Sequence, residues 1–133
     1  MMASLFTSIF IGVAGGLLIM VGTGLLFQPH EFSAAHGIIL ADNPSQLSEV
    51  RAPGAFLMIS ALFLLFSVGR TRFLQPAVAL IIAIYGSYGF ARLFSLMHDG
   101  LPSQALVQAM ALELAVAFLG AILWLRLRFT QSQ

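Results

Sequence analysis

Residues Ser103 to Leu125 read SQALVQAMALELAVAFLGAILWL, and Glu113 is the single charge in the run. At 1.5 Å per residue, a helix of this length crosses the ~30 Å hydrocarbon core of a bilayer. A carboxyl group near the middle of such a span is costly, because hydrocarbon offers it neither water nor counter-charge. It has to face the protein interior and find a partner, or stay protonated. The rest of the chain is read by asking where that partner lies.

Composition supports the membrane setting. Of 133 residues, 59% are hydrophobic and 8% charged, against about 25% charged in a soluble domain. Mean hydropathy is +0.97. The chain reads as one integral membrane domain, residues 1–133. The absence of cysteine excludes disulfides and thiolate metal sites. All six basic residues are arginines, and a net charge of +1 gives no reason to expect nucleic acid as a partner. No Lys or Arg precedes Arg51, and the apolar run from Leu5 to Phe27 is too long for the core of a signal peptide. That run is read as a retained first span.

The expected fold is all-α, a four-helix transmembrane bundle with spans at about 4–27, 48–69, 73–97 and 103–125. Span one is uncharged and holds Gly12, Gly15, Gly16, Gly22 and Gly24. Gly12 and Gly16 form a GxxxG pair, which lets another helix approach closely. That helix is either a neighbouring span or a second copy of the chain in a homo-oligomer. In the long connection from Gln28 to Leu47, Pro29 predicts the start of a short surface helix and Gly37 its stop. Asn43-Pro44, with Gln46 three residues on, predicts a capped start for the next helix. Pro53 predicts a kink early in span two.

Arginine placement sets the expected topology. Arg70 and Arg72 share one side with Arg126 and Arg128, and no acidic residue lies there. The other side carries Glu31, Asp42, Glu49 and Asp99, with Arg51 and Arg92 beside them. The positive-inside rule places both termini in the cytoplasm and the long loop outside. In a bacterium this means the inner membrane, with the loop in the periplasm.

Arg51, Arg92 and Glu113 come from three different spans and fall in the outer half of the membrane. Arg92 shares a helix face with Tyr88 and Tyr85, four and seven residues back. Glu113 shares a face with Ala109, Ala117 and Gly120, small residues that permit close helix contact. A Glu113–Arg92 or Glu113–Arg51 pair is the natural way to neutralise the carboxylate. Two readings stand side by side. The charges fix helix register and nothing more, or Arg51, Arg92, Glu113, Tyr85 and Tyr88 line an outward-opening polar pocket for an anionic or amphipathic ligand. A fully packed surround would leave only the first.

Catalytic and metal chemistry find little footing. His30, His36 and His98 all map to the outer surface, at spacings that match no metal motif. No span carries a mid-membrane histidine to ligate a haem. No Ser/His/Asp set, HExxH, P-loop or GxGxxG occurs. No catalytic residue, metal or cofactor is expected.

Four motifs in order carry a family resemblance. They are Ser48-Glu49-Val50-Arg51-Ala52-Pro53-Gly54, Gly89-Phe90-Ala91-Arg92-Leu93-Phe94-Ser95-Leu96, Asp99-Gly100-Leu101-Pro102 and Leu112-Glu113-Leu114. Together they resemble a family of small bacterial four-span membrane proteins classed as a domain of unknown function. The resemblance covers nearly the whole chain. Members typically carry Ser-Glu-x-Arg-Ala-x-Gly-Gly, and here Ala55 stands at the second glycine. The resemblance implies a four-helix inner-membrane protein and implies no activity. The expected function is binding of a lipid-like or anionic amphipathic ligand, with membrane lipids as partners. The alternative is an accessory or homo-oligomeric subunit held through Gly12 and Gly16, without ligand chemistry.

Overall fold

A computed structural model describes residues 2–131, with side chains placed for 5–129. Five helices follow one another: α1 (Met2–Phe27), α2 (Pro29–Ala35), α3 (Pro44–Ser67), α4 (Thr71–Asp99) and α5 (Gln104–Gln131). All except α2 are long and apolar enough to cross a membrane. The chain is an all-α, four-helix transmembrane bundle, a multi-pass membrane protein. Large apolar side chains such as Phe6, Ile9, Ile59, Phe90 and Phe118 are exposed on its outer faces, where lipid replaces water.

The helix ends follow from local chemistry. Asn43 Oδ1 accepts the Ser45 N–H at 2.9 Å, and Pro44 occupies the first turn, so α3 starts four residues before the expected span. Gln46 Oε1 accepts from Ala41 N–H at 3.0 Å rather than from Asn43. The expected capping box thus opens into a stitch that holds the preceding loop. α5 runs past Leu125 through Arg126-Leu127-Arg128, since nothing there breaks the helix. Gly37, Gly69 and Gly100 take positive φ values of 78°, 74° and 100° in the turns that follow α2, α3 and α4.

The bundle is built as two tight pairs, α1 on α3 and α4 on α5, with thinner contact of α4 on α1 and α3. Glycine makes each pair close. A Cβ on Gly22 would lie 2.7 Å from Met58 N and 2.8 Å from Gly54 O; one on Gly54 would lie 2.9 Å from Leu26 N. In the second pair, a Cβ on Gly89 would lie 2.9 Å from the Leu114 side chain, and Gly86 faces Ala117. Gly12 and Gly16 do not make such a contact: a Cβ on Gly12 would meet Val68 Cγ2 at 3.7 Å, and one on Gly16 would meet nothing within 4 Å.

The two ends of the bundle differ. The end carrying both termini and the α3–α4 turn is called here the terminal end; the other, with α2 and the α4–α5 turn, is the loop end. Toward the terminal end, Ile11, Ala14, Leu64, Ala77, Val78, Ile81 and Leu123 form a buried core. Ser8 Oγ accepts the Gly69 N–H at 3.3 Å and fastens the start of α1 to the α3–α4 turn. Arg70 and Arg128 lie over the rings of Phe66 and Trp124 at 4.2 and 4.7 Å, an aromatic and basic rim of the kind found at membrane interfaces.

Candidate functional site

Between the helix pairs, on the loop side of that core, the side chains stop filling the bundle. A cavity of about 430 Å³ opens there. One wall is α1, through Leu17, Leu18, Met20, Val21 and Leu25. The facing wall is α5, through Ala105, Leu106, Gln108, Ala109, Leu112 and Glu113. α4 supplies the back, with Ile84, Tyr85, Tyr88 and Arg92, and Leu57 of α3 closes the floor.

α2 forms the roof. Phe32, Ser33, His36 and Ile38 all face the cavity. Phe32 lies directly against Gly24, where a Cβ would collide with its ring, so the roof seats on α1 only because that position is glycine. On the opposite side, Ser103 Oγ donates to His36 O at 2.7 Å. The same hydroxyl accepts from Leu106 N–H at 3.4 Å, the N-cap position of α5. One side chain therefore starts α5 and ties the roof to it.

Glu113 finds its partner in Arg92. Arg92 Nε donates to Glu113 Oε1 at 3.2 Å and to Oε2 at 3.0 Å. The Glu113 side chain is 13% exposed and that of Arg92 31%, so the pair sits in the cavity wall and not on the lipid face. Glu113 is nine residues from the start of α5, roughly 13 Å along the axis. At that depth a charge without a partner costs several kcal/mol, and pairing recovers much of it. An arginine has five N–H donors. Only Nε is used here: among the described residues, neither Nη of Arg92 makes a hydrogen bond.

The other candidates separate. Tyr85 is 4% exposed, and its hydroxyl donates to Ala14 O at 2.7 Å. Its ring lines the cavity while its donor is committed to joining α4 to α1. Tyr88, one turn from Arg92, is half-buried, and its hydroxyl has no hydrogen-bond partner among the described residues. Arg51 is not brought to the cavity. The buried stripe of α3 runs through Gly54, Leu57, Ala61 and Leu64, and the half-buried Val50 precedes it one turn back. Arg51 is one position on, about 100° around the helix, and is exposed.

The short helix expected from Pro29 forms as α2, and with residues outside the expected ligand set it completes the site. The roof residues Phe32 and His36, and Gln108 on α5, carry no motif; only the fold brings them to Arg92. The histidines are engaged locally. His36 Nδ1 lies 2.7 Å from Phe32 O, and His98 Nδ1 lies 3.0 Å from Phe94 O. His30 Nε2 is 3.2 Å from Asp42 Oδ1. Among the described residues, no three His, Asp or Glu side chains converge as a metal site requires.

Comparison with known proteins adds family and nothing on activity. No curated protein and no solved structure matches the chain. Residues 6–125, from the first turns of α1 to near the end of α5, match a family described as a domain of unknown function, DUF4345. The four-span bundle with its buried Arg92–Glu113 pair is thus a structure for that sequence class, and the chain belongs to the DUF4345 family.

Proposed function

We propose that the protein binds a small lipid-like or anionic amphipathic ligand in the cavity between α1 and α5. One observation carries this reading: a largely apolar space of about 430 Å³ lies beside an ion pair set in its wall, inside a membrane bundle. That volume falls in the range of about 300–1,000 Å³ usual for small-molecule sites. A pair that served only to fix helix register would need no space beside it. Apolar portions of the ligand lie against Leu18, Leu57 and Ile84, and its polar group lies near Arg92 and Tyr88.

The test is occupancy. Ala109→Phe projects a ring into the space beside Glu113. Lipids that co-purify with the wild-type protein in mild detergent should be depleted at least tenfold in this variant. Equal recovery from both would end the ligand reading.

We place the protein in the inner membrane of a bacterium, with both termini cytoplasmic and the cavity in the outer half. The arginines at the terminal end support this orientation. Reporter fusions after Arg72 and at the C-terminus should read cytoplasmic; a periplasmic signal at either would reverse it.

The alternative, an accessory or homo-oligomeric subunit, draws on Gly16, which faces open space on α1. Under that reading a complex larger than one chain survives mild detergent and is lost in Gly16→Leu.

A further inference from the structure

The cavity has a roof and a floor, yet two of its lining residues are also exposed apolar side chains. Met20 on α1 is 59% exposed and Leu112 on α5 is 48% exposed. They stand on the facing walls, each roughly 10–12 Å along its helix from the loop end. α1 and α5 are not a close pair at this level; each packs on a different partner helix. Lining residues exposed on both walls are what a sideways opening toward lipid requires, while Phe32 and the Ser103–His36 hydrogen bond lie across the aqueous loop end.

Size narrows the occupant. A methylene group takes about the volume of a water molecule in the liquid, ~30 Å³, so the cavity accepts roughly a dozen chain carbons. This suits one hydrocarbon chain and is too small for a two-chain lipid. A longer chain needs an opening in the cavity wall to continue into the bilayer. Arg92 narrows the head group. Glu113 holds the guanidinium by Nε, which fixes its plane and leaves the two Nη groups to take a planar or tetrahedral oxyanion by paired hydrogen bonds. Glu113 thus orients the arginine without occupying its outer edge.

Building on the ligand reading above, we propose that the cavity takes a single-chain lipid with a carboxylate or phosphate head. The chain enters sideways through the Met20–Leu112 gap, and the head rests on the Nη edge of Arg92.

The full-length protein in phosphatidylcholine nanodiscs would be titrated with oleate, oleoyl lysophosphatidate and oleyl alcohol, and bound ligand counted by native mass spectrometry. One anionic chain per protein is expected, at least tenfold tighter than the alcohol. Which anion binds tighter separates the carboxylate from the phosphate source. Arg92→Lys keeps the charge but loses the paired geometry, and should lower anion affinity about tenfold more than it lowers that of the alcohol. Met20→Trp with Leu112→Trp should slow loading from the bilayer at least fivefold, read as the rate at which bound oleate appears after mixing. If the alcohol binds as tightly as oleate, the head-group assignment is overturned while the cavity remains a ligand site. If loading in the double Trp variant is unchanged, the sideways route is overturned. If none of the three amphiphiles binds, this proposal and the ligand reading beneath it both fall. The wild-type comparison needs no variant, so a poorly folding Arg92→Lys leaves the head-group claim testable.

Discussion

The two halves of this bundle are made of the same helices and behave as different materials. Toward the terminal end, α1, α3 and α4 interdigitate through Ile11, Leu64, Val78 and Ile81, all fully buried, and Leu123 brings in α5. Toward the loop end the same α1 and α5 line a space instead of meeting. The difference comes from what fills the middle. In the packed half, apolar side chains project inward at every turn. In the open half, the α5 residues that line the space include two alanines, Ala105 and Ala109, and Glu113, which is engaged with Arg92. Because lipid is as apolar as leucine, packing is what holds helices together in a membrane. The open half therefore gives up stability that the packed half supplies.

This contrast can be broken most directly at the α1–α3 contact on which both halves rest. Gly54→Ala puts a methyl group 2.8 Å from Leu25 Cβ and 2.9 Å from Leu26 N. It should lower stability by about 3 kcal/mol, in the upper range of overpacking costs. Gly16→Ala, in open space, should stay within about 0.5 kcal/mol. Reversible unfolding in detergent would measure both, and equal effects would mean that the wrong glycines have been placed at the contact.

Next in size is a matched pair of truncations. Leu64→Ala leaves a void in a fully buried site and should cost about 3 kcal/mol. Leu106→Ala only enlarges an existing space and should cost less than about 1 kcal/mol. A loss at Leu106 as large as that at Leu64 would show the loop half to be packed in solution.

A smaller effect is expected at the ion pair. In a double-mutant cycle, Arg92→Ala and Glu113→Ala should couple by about 1 kcal/mol, the double variant losing less than the summed singles. Additive losses would remove the bond at Arg92 Nε as an energetic link between α4 and α5. The smallest global effect should come from Ser103→Ala, about 1 kcal/mol or less for a lost N-cap. Its local effect should be larger: amide hydrogen exchange across residues 36–38 and 104–106 should accelerate together, because one hydroxyl serves both segments.

Four spans can be read from hydropathy because each is a long apolar run, and the structure returns all four. The Arg92–Glu113 pair was legible for an energetic reason: a mid-span carboxylate has few ways to exist, and Arg92 shared its face with two tyrosines. The choice between Arg92 and Arg51 was not legible. It depends on which side of α3 meets α1, which Gly54 decides through a backbone contact with Gly22. Spacing alone singled out Gly12 and Gly16 on α1, yet five glycines on one helix define several faces, and only the partner selects among them. The hydroxyl of Tyr85 offers the same lesson. Its proton goes to Ala14 O, 71 positions away in sequence, a commitment that no local pattern records.

The spacing of the ion pair also has a consequence for biosynthesis. Arg92 is made 21 residues before Glu113. A nascent chain that has completed α4 but not α5 holds a guanidinium at membrane depth with no carboxylate to meet it. α4 is apolar enough to span by itself, but its arginine gains a counter-charge only when the final helix emerges. Insertion of the last two helices should therefore be coupled, and a chain truncated ahead of residue 113 should integrate α4 less completely than the full chain does.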